Sequence, residues 1–366
     1  MDSAISLERS VTGSRAQSAV PPSRVRVADD VAMLRTAAEL TRDINTAKPL
    51  VYWGDFLGSA ALGYAGLAGA IALSGMWAVA SALVAILGLY RAGSFIHELT
   101  HIRHRELPWF RFGWNAVIGA PLLIPSFMYE GVHNLHHNRT RYGTIEDPEY
   151  LPLALMKPWT LPLFVVTAAL APIALLLRFG VLTPLSLMFP ALRRLVVGQF
   201  SGLQINPKFR RRAPEGELAR QWACQEGAAS IWGITLVAMV ASDVIQLRAF
   251  AIMLAIVSGT MLLNQTRTLV AHLWENEGEA MTVTAQYLDS VNVPPPATLP
   301  ALWAPVGLRY HALHHLLPSL PYHSLGEAHR RLSKVLSADS PYHKSSYLGL
   351  PHLVARLARN TVTPRS

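Results

Sequence analysis

Long apolar stretches without a single charge set the pattern of this chain. Phe56 to Tyr90 carries no charged residue, and neither do Pro158 to Leu177, Gly227 to Ser242 or Ala249 to Thr266. About 20 mostly apolar residues are needed for a helix to cross the ~30 Å hydrocarbon core of a bilayer. The first stretch is too long for one crossing and breaks at Ser74-Gly75-Met76, which predicts two antiparallel helices over about 53–73 and 77–97. A second hairpin is predicted further on, with arms over about 228–242 and 247–268 and a turn at Asp243–Gln246. The chain therefore reads as an all-α polytopic membrane protein with two transmembrane hairpins, about four spans in all.

Between the hairpins the pattern is less regular. Gly113 to Tyr129 is apolar but broken by Pro121 and Pro125, and it reads as an interfacial or re-entrant segment. Residues 159–190 are interrupted at Arg178 and Gly180 and read as a shallow hairpin that returns to the side it left. Before the first hairpin, Val31, Leu34 and Ala38 recur at helical spacing among charges. That predicts a helix over about 29–45, lying on the membrane or exposed to solvent. Residues 1–50 thus form an N-terminal disordered or amphipathic segment, 51–320 the membrane domain and 321–366 a C-terminal tail.

Composition sharpens this. Charged residues make up 15 % and hydrophobic ones 51 %, against about 25 % charged in an ordinary soluble domain. The formal net charge of +9 fits basic loops beside anionic lipid better than nucleic-acid binding. Arg35, Arg42 and Lys48 precede the first hairpin, which puts that surface in the cytoplasm. The basic stretch Arg193, Arg194, Lys208, Arg210, Arg211, Arg212 and Arg220 reads as a solvated cytoplasmic loop, or else as a docking face for an acidic electron-transfer partner. Cys224 stands alone, so no intrachain disulfide can form, and residues 1–50 hold no signal-peptide core.

The candidate chemistry lies in histidines at the cytoplasmic ends of these helices, where they form a histidine-rich cap. His97-Glu98-Leu99-Thr100-His101 is followed by His104. Then come His133-Asn134-Leu135-His136-His137 and His311-Ala312-Leu313-His314-His315, with His272 at the inner end of the second hairpin. With 14 histidines in 366 residues, about 0.02 copies of HxxHH are expected by chance, and the chain has two. Spacings of three and four share one helical face, so each cluster aims its imidazoles at one place. His97, His101, His133, His136, His137, His272, His311, His314 and His315 are nine candidate ligands, too many for one metal and suited to two. Without accompanying cysteines they suit iron, the natural metal for dioxygen chemistry at a membrane surface. Glu98, Glu130, Asp147, Glu149, Glu275 and Asp289 are candidates to orient the imidazoles. His323, His329, His343 and His352 are scattered and read as ordinary.

These boxes resemble those of the membrane fatty acid desaturase superfamily, bacterial type: HxxxH, HxxHH about thirty residues on, then a distant HxxHH. Gly143-Thr144, Glu146-Asp147-Pro148-Glu149, Arg267-Thr268-Leu269-Val270-Ala271-His272 and Asp289-Ser290-Val291-Asn292 are similar too, so the likeness covers roughly 50–320. It implies a di-iron enzyme of the bacterial inner membrane, with the nine histidines as ligands on the cytoplasmic side. Dioxygen would be co-substrate and a lipid acyl chain the substrate. Electrons would come from a separate ferredoxin- or reductase-type donor, and nucleic acid has no part. Acyl-lipid desaturation is the favoured reaction and hydroxylation the runner-up. Some members supply an asparagine four residues before the His272 equivalent. Here that position is Thr268, with Asn264 one turn earlier, so neither is assigned. His97-Glu98-Leu99-Thr100-His101 also matches the HExxH of zinc metalloproteases, the rival from another class. A histidine-rich metal transporter is a weaker rival, because the spans themselves hold no histidine.

Overall fold

A computed structural model describes residues 27–103 and 105–362. His104 and the first 26 residues lie outside the described residues. The helices are α1 (Val31–Thr41), α2 (Pro49–Ala72), α3 (Gly75–His101), α4 (His133–His136), α5 (Thr160–Met188), α6 (Pro190–Gln199), α7 (Gly216–Ala241), α8 (Leu247–Leu269), α9 (Val283–Asp289), α10 (His311–Leu316), α11 (Leu325–Val335) and α12 (Leu350–Val362). Short helical turns connect them, and among the described residues β-structure is limited to isolated bridges. Five helices are long and apolar enough to cross a membrane: α2, α3, α5, α7 and α8.

The first hairpin is α2 and α3, packed backbone to backbone through small residues. A Cβ at Gly88 would sit 2.6 Å from the Gly63 nitrogen, and one at Gly66 would sit 2.6 Å from the Ala85 nitrogen. In lipid, where apolar burial drives little helix association, such close approach is what holds two helices together. Gly88→Leu is therefore expected to cost at least about 3 kcal/mol of stability. It should shift the purified protein from a monodisperse peak to aggregate in size-exclusion chromatography; an unchanged profile would contradict the packing.

The segment 110–128 folds back on itself. Asn115 Nδ2 donates to Ser126 Oγ at 2.9 Å and Asn115 Oδ1 accepts from Ser126 N at 2.8 Å, which ties the two arms together. Its turn is non-helical backbone, in which buried carbonyls are costly to leave unpaired. Tyr64 Oη donates to Val117 O at 2.6 Å and Trp232 Nε1 to Pro121 O at 3.0 Å, which meets that need.

Residues 159–190 differ from expectation. Instead of reversing near Gly180, they form one long helix, α5, with a π turn over Arg178–Leu182. The reversal comes later, at Phe189–Pro190, and α6 brings the chain back until Leu203 N donates to Met128 O at 2.8 Å. Arg178 looked like a surface marker in the sequence because its partner is distant. It is buried and bonds Glu226 Oε1 at 2.6 Å, Ser201 Oγ at 2.9 Å and Phe200 O at 2.8 Å. A paired, fully hydrogen-bonded cation need not lie at the water surface.

The two ends of the chain also pack more closely than their sequences suggest. In α1, Asp30 caps the Met33 N–H at 3.0 Å, and Met33 and Ala37 are buried against Ala328 and Leu332 of α11. One face of the helix is thus covered by α11. Residues 321–362, expected as a tail, pack against the rest of the chain, and Tyr322 reaches the first histidine box. Tyr322 N donates to Glu98 Oε2 at 3.1 Å and Tyr322 Oη to Asp55 Oδ2 at 2.9 Å.

Candidate metal centre

Each histidine cluster sits on a local helix whose period does the aiming. The last turn of α3 carries His97 and His101; α4 carries His133 and His136, with His137 capping it; α10 carries His311, His314 and His315. His272 follows α8, and it is pinned by the strip Asp289-Ser290-Val291-Asn292 just beyond α9. Leu273 N donates to Asp289 O at 2.7 Å and Val291 N to Ala271 O at 3.0 Å. The same strip holds α10, because Ala312 N donates to Val291 O at 3.1 Å and Leu313 N to Asn292 Oδ1 at 3.0 Å. One short extended segment therefore fixes His272 and the third cluster relative to each other.

The structure brings all nine candidate histidines together in two groups. His97, His101, His133, His137 and His314 form one, His136, His272, His311 and His315 the other, and within each the ligand atoms lie within 4.8 Å of one another. The Nε2 atoms converge: His136 to His272 at 3.2 Å, His272 to His311 at 3.0 Å, His133 to His137 at 3.0 Å and His137 to His314 at 3.1 Å. The groups adjoin, with the rings of His137 and His315 stacked at 4.3 Å.

Four of the six carboxylates proposed from sequence lie within 4 Å of a histidine, Glu98 among them, and three of these orient a ring. Asp147 accepts from His136 Nδ1 at 2.9 Å, and Glu149 accepts from His133 Nδ1 at 3.1 Å. Asp289 acts through a tyrosine: Tyr142 Oη donates to Asp289 Oδ2 at 2.8 Å, which leaves the phenol oxygen to accept from His272 Nδ1 at 2.8 Å. Each contact keeps a proton on Nδ1 and turns the Nε2 lone pair toward its group, the arrangement a metal requires. Glu130 instead pairs with Arg111 at 2.7 Å, and Glu275 bonds Asn360 at 2.8 Å. Tyr142, Tyr129 and Ser290 have no spacing signal in the sequence, and only the fold shows that they touch histidines.

Electrostatics agree with a cation site. Burial, reinforced by neighbouring imidazoles, holds His133, His137, His311, His314 and His315 well below the ordinary imidazole pKa, so they stay neutral. Burial acts the same way on His136, but the Asp147 carboxylate outweighs it and raises that pKa. Burial pushes Glu149 up to about 7 and Asp289 up to about 6. Several ring nitrogens are buried without any hydrogen-bond partner: both of His97, Nε2 of His101 and Nδ1 of His315. Orphaned buried polar atoms are rare and costly, and a metal at each group accounts for those that face inward. The all-imidazole donor set, with no thiolate, fits iron and does not suit an iron–sulfur cluster.

Glu98, the residue a metalloprotease would use as base, is occupied elsewhere. It is buried, accepts from Tyr52 Oη at 2.5 Å and Tyr322 N at 3.1 Å, and lies 3.7 Å from His97 Nδ1. Glu98→Gln keeps the volume and an acceptor for Tyr322. In an oxygenase it is expected to cost about tenfold in turnover per bound metal, whereas a peptidase activity that Glu98→Gln abolishes would favour the protease.

A cavity of about 550 Å³ opens beside the histidines between α3, α5 and α8. Its walls are mostly apolar, with Ile96, Phe164, Ala168, Leu175 and Met261, and it reaches His97, His133, His136, His272 and His311. Asn264 and Thr268 line it too.

Comparison with known proteins supplies the final observation. The family model described as "Fatty acid desaturase" matches residues 74–346. A protein of Caulobacter vibrioides (strain NA1000 / CB15N) described as "Ceramide hydroxylase" is 48 % identical over 335 residues, spanning 91 % of this chain and 95 % of that one. No solved structure matches.

Proposed function

The chain belongs to the fatty acid desaturase family, and from that premise we propose that it is an iron-dependent hydroxylase of the acyl chain of a ceramide or a similar N-acyl lipid. Its family, its apolar helices and its buried histidine groups make it a membrane enzyme that oxidises lipid. The observation that carries the finer reading is the similarity to a ceramide hydroxylase over nearly the full length of both chains. The histidine boxes alone leave desaturation and hydroxylation equally open, and the motifs around them favour desaturation. The full-length relative tips that balance toward hydroxylation.

In this reading His97, His101, His133, His137 and His314 hold one iron, and His136, His272, His311 and His315 hold the other. When bound, the irons would supply dioxygen activation. The overall reaction converts a C–H bond, dioxygen, two electrons and two protons into an alcohol and water. The electrons come from a separate ferredoxin- or reductase-type protein. The apolar cavity admits an acyl chain and keeps bulk water from the oxidising centre. Asp147, Glu149 and the Tyr142–Asp289 pair hold the imidazoles in their metal-ready tautomer. We place the protein in the bacterial inner membrane with the histidines on the cytoplasmic side, supported by Arg35, Arg42 and Lys48 ahead of the first hairpin.

The test is product analysis. Iron-loaded protein in nanodiscs containing a saturated ceramide is supplied with a ferredoxin, its reductase, NADPH and labelled dioxygen. The expected product carries one labelled oxygen atom. A product lacking two hydrogens and carrying no label would show desaturation instead.

A further inference from the structure

Arg267 is the cavity residue that the metal groups leave unexplained. It stands in the last turn of α8, lines the cavity and is only 9 % exposed. Its Nη2 lies 3.4 Å from His311 Nδ1, a nitrogen that carries the ring proton when Nε2 faces the histidine group and so offers Arg267 no acceptor. The carboxylates of the site do not pair with it: Asp147, Glu149 and Asp289 face His136, His133 and His272. A buried guanidinium next to a cationic metal centre is expensive unless something polar meets it. A second residue of the same cavity is also incomplete. Gln204 donates through Nε2 to Phe209 O at 3.2 Å, which leaves its Oε1 buried without a partner. Its neighbours Leu203 and Ile205 donate to Met128 O and Pro148 O. Gln204 is thereby held on the wall that carries Tyr129 and Glu149, in the cavity that Arg267 also lines.

We propose that Arg267 and Gln204 form a subsite for the amide group of an N-acyl lipid, and that this subsite directs oxidation to the acyl carbons next to the amide carbonyl. The guanidinium donates to the carbonyl oxygen and Gln204 Oε1 accepts the N–H. An amide offers both partners on adjacent atoms, whereas a plain hydrocarbon would leave both groups unmet. A carboxylate or phosphate would satisfy Arg267 but would face the Gln204 oxygen and Glu149. The guanidinium lies 3.4 Å from His311 Nδ1, and the Nε2 of the same ring faces the four-histidine group, so a carbonyl held by Arg267 brings the first acyl carbons nearest to that group. The distal chain then runs along the apolar wall of the cavity.

This inference rests on the proposed hydroxylase for its turnover arm only, and a binding arm stands apart. Binding of palmitoyl-sphinganine to purified, metal-loaded protein in detergent is read as a rise in unfolding midpoint, with palmitic acid as comparator. Wild type is expected to shift more with the amide. Gln204→Leu and Arg267→Met are expected to lose most of that shift at unchanged metal content, and Arg267→Lys to keep part of it. In turnover, fragmentation mass spectrometry is expected to place the hydroxyl on the acyl carbon beside the carbonyl. Gln204→Leu should raise KM about tenfold with little change in kcat, and Arg267→Met should spread the hydroxyl to other carbons. A hydroxyl at mid-chain or chain end, a larger shift with palmitic acid, or wild-type binding and KM in both variants would overturn the subsite. If Arg267→Met loses metal, Gln204→Leu carries the test. If ceramide binds as described but no oxygenated product forms, the hydroxylase reading fails and the subsite stands.

Discussion

His311→Ala is expected to lower turnover by at least about a thousandfold, equivalent to roughly 4 kcal/mol of barrier, and to strip metal from one of the two groups. His311 belongs to the group of four, with its Nε2 3.0 Å from that of His272 and 3.3 Å from that of His315. Three imidazoles would remain there, with no carboxylate or thiolate in the group to replace the fourth. The substitution should not unfold α10, because that helix is held by backbone contacts at Ala312 and Leu313 that an alanine at 311 leaves in place. Bound metal should therefore fall toward one per chain while the elution profile is unchanged. His352→Ala is the matched control. His352 is exposed and belongs to neither group, and its loss should leave metal content and turnover near wild type. Full metal content and turnover in His311→Ala would remove it from the site.

The second large effect is expected at Asp147. It is completely buried, accepts from His136 Nδ1 at 2.9 Å, and is itself fixed by the Gly143 N–H at 2.8 Å and the Glu149 N–H at 2.9 Å. Asp147→Asn preserves shape but changes two things. It removes the charge that stabilises a metal-bound imidazole, and it can present an NH₂ to Nδ1. The second change would move the imidazole proton to Nε2, where it blocks the lone pair. Such outer partners typically matter 10–100-fold, and the deep burial of this pair argues for about 100-fold, read as metal affinity by competition with a chelator. Tyr142→Phe should cost less, because Ser290 Oγ also reaches His272 Nδ1 at 3.2 Å. Wild-type metal affinity in Asp147→Asn would show that the contact is incidental.

Much of this architecture was legible in the sequence because two periods are strong. A charge-free run of membrane length marks a span wherever it occurs, and four of the five long apolar helices fall in the two predicted hairpins, extended by several residues at their inner ends. Histidines at spacings of three and four share a helical face, which marks eight of the nine that converge in space; His272 is marked by its place at the inner end of the second hairpin. What stayed hidden depends on partners distant in sequence. Arg178 reads as an interruption until Glu226 is seen beside it. The apolar positions of α1 show amphipathicity but not that α11 covers them. Among the six candidate carboxylates, Asp147 and Glu130 look alike in sequence. One meets His136, the other Arg111, and only the fold decides. Tyr142 carries no periodic signal, yet it links Asp289 to His272.

The most direct measurement is metal content with Mössbauer spectroscopy on protein purified in detergent from iron-replete cells. Two irons per chain, coupled as a pair, are expected from two adjoining groups of imidazoles. A single zinc that survives purification, with no iron taken up under any reconstitution, would contradict the di-iron reading.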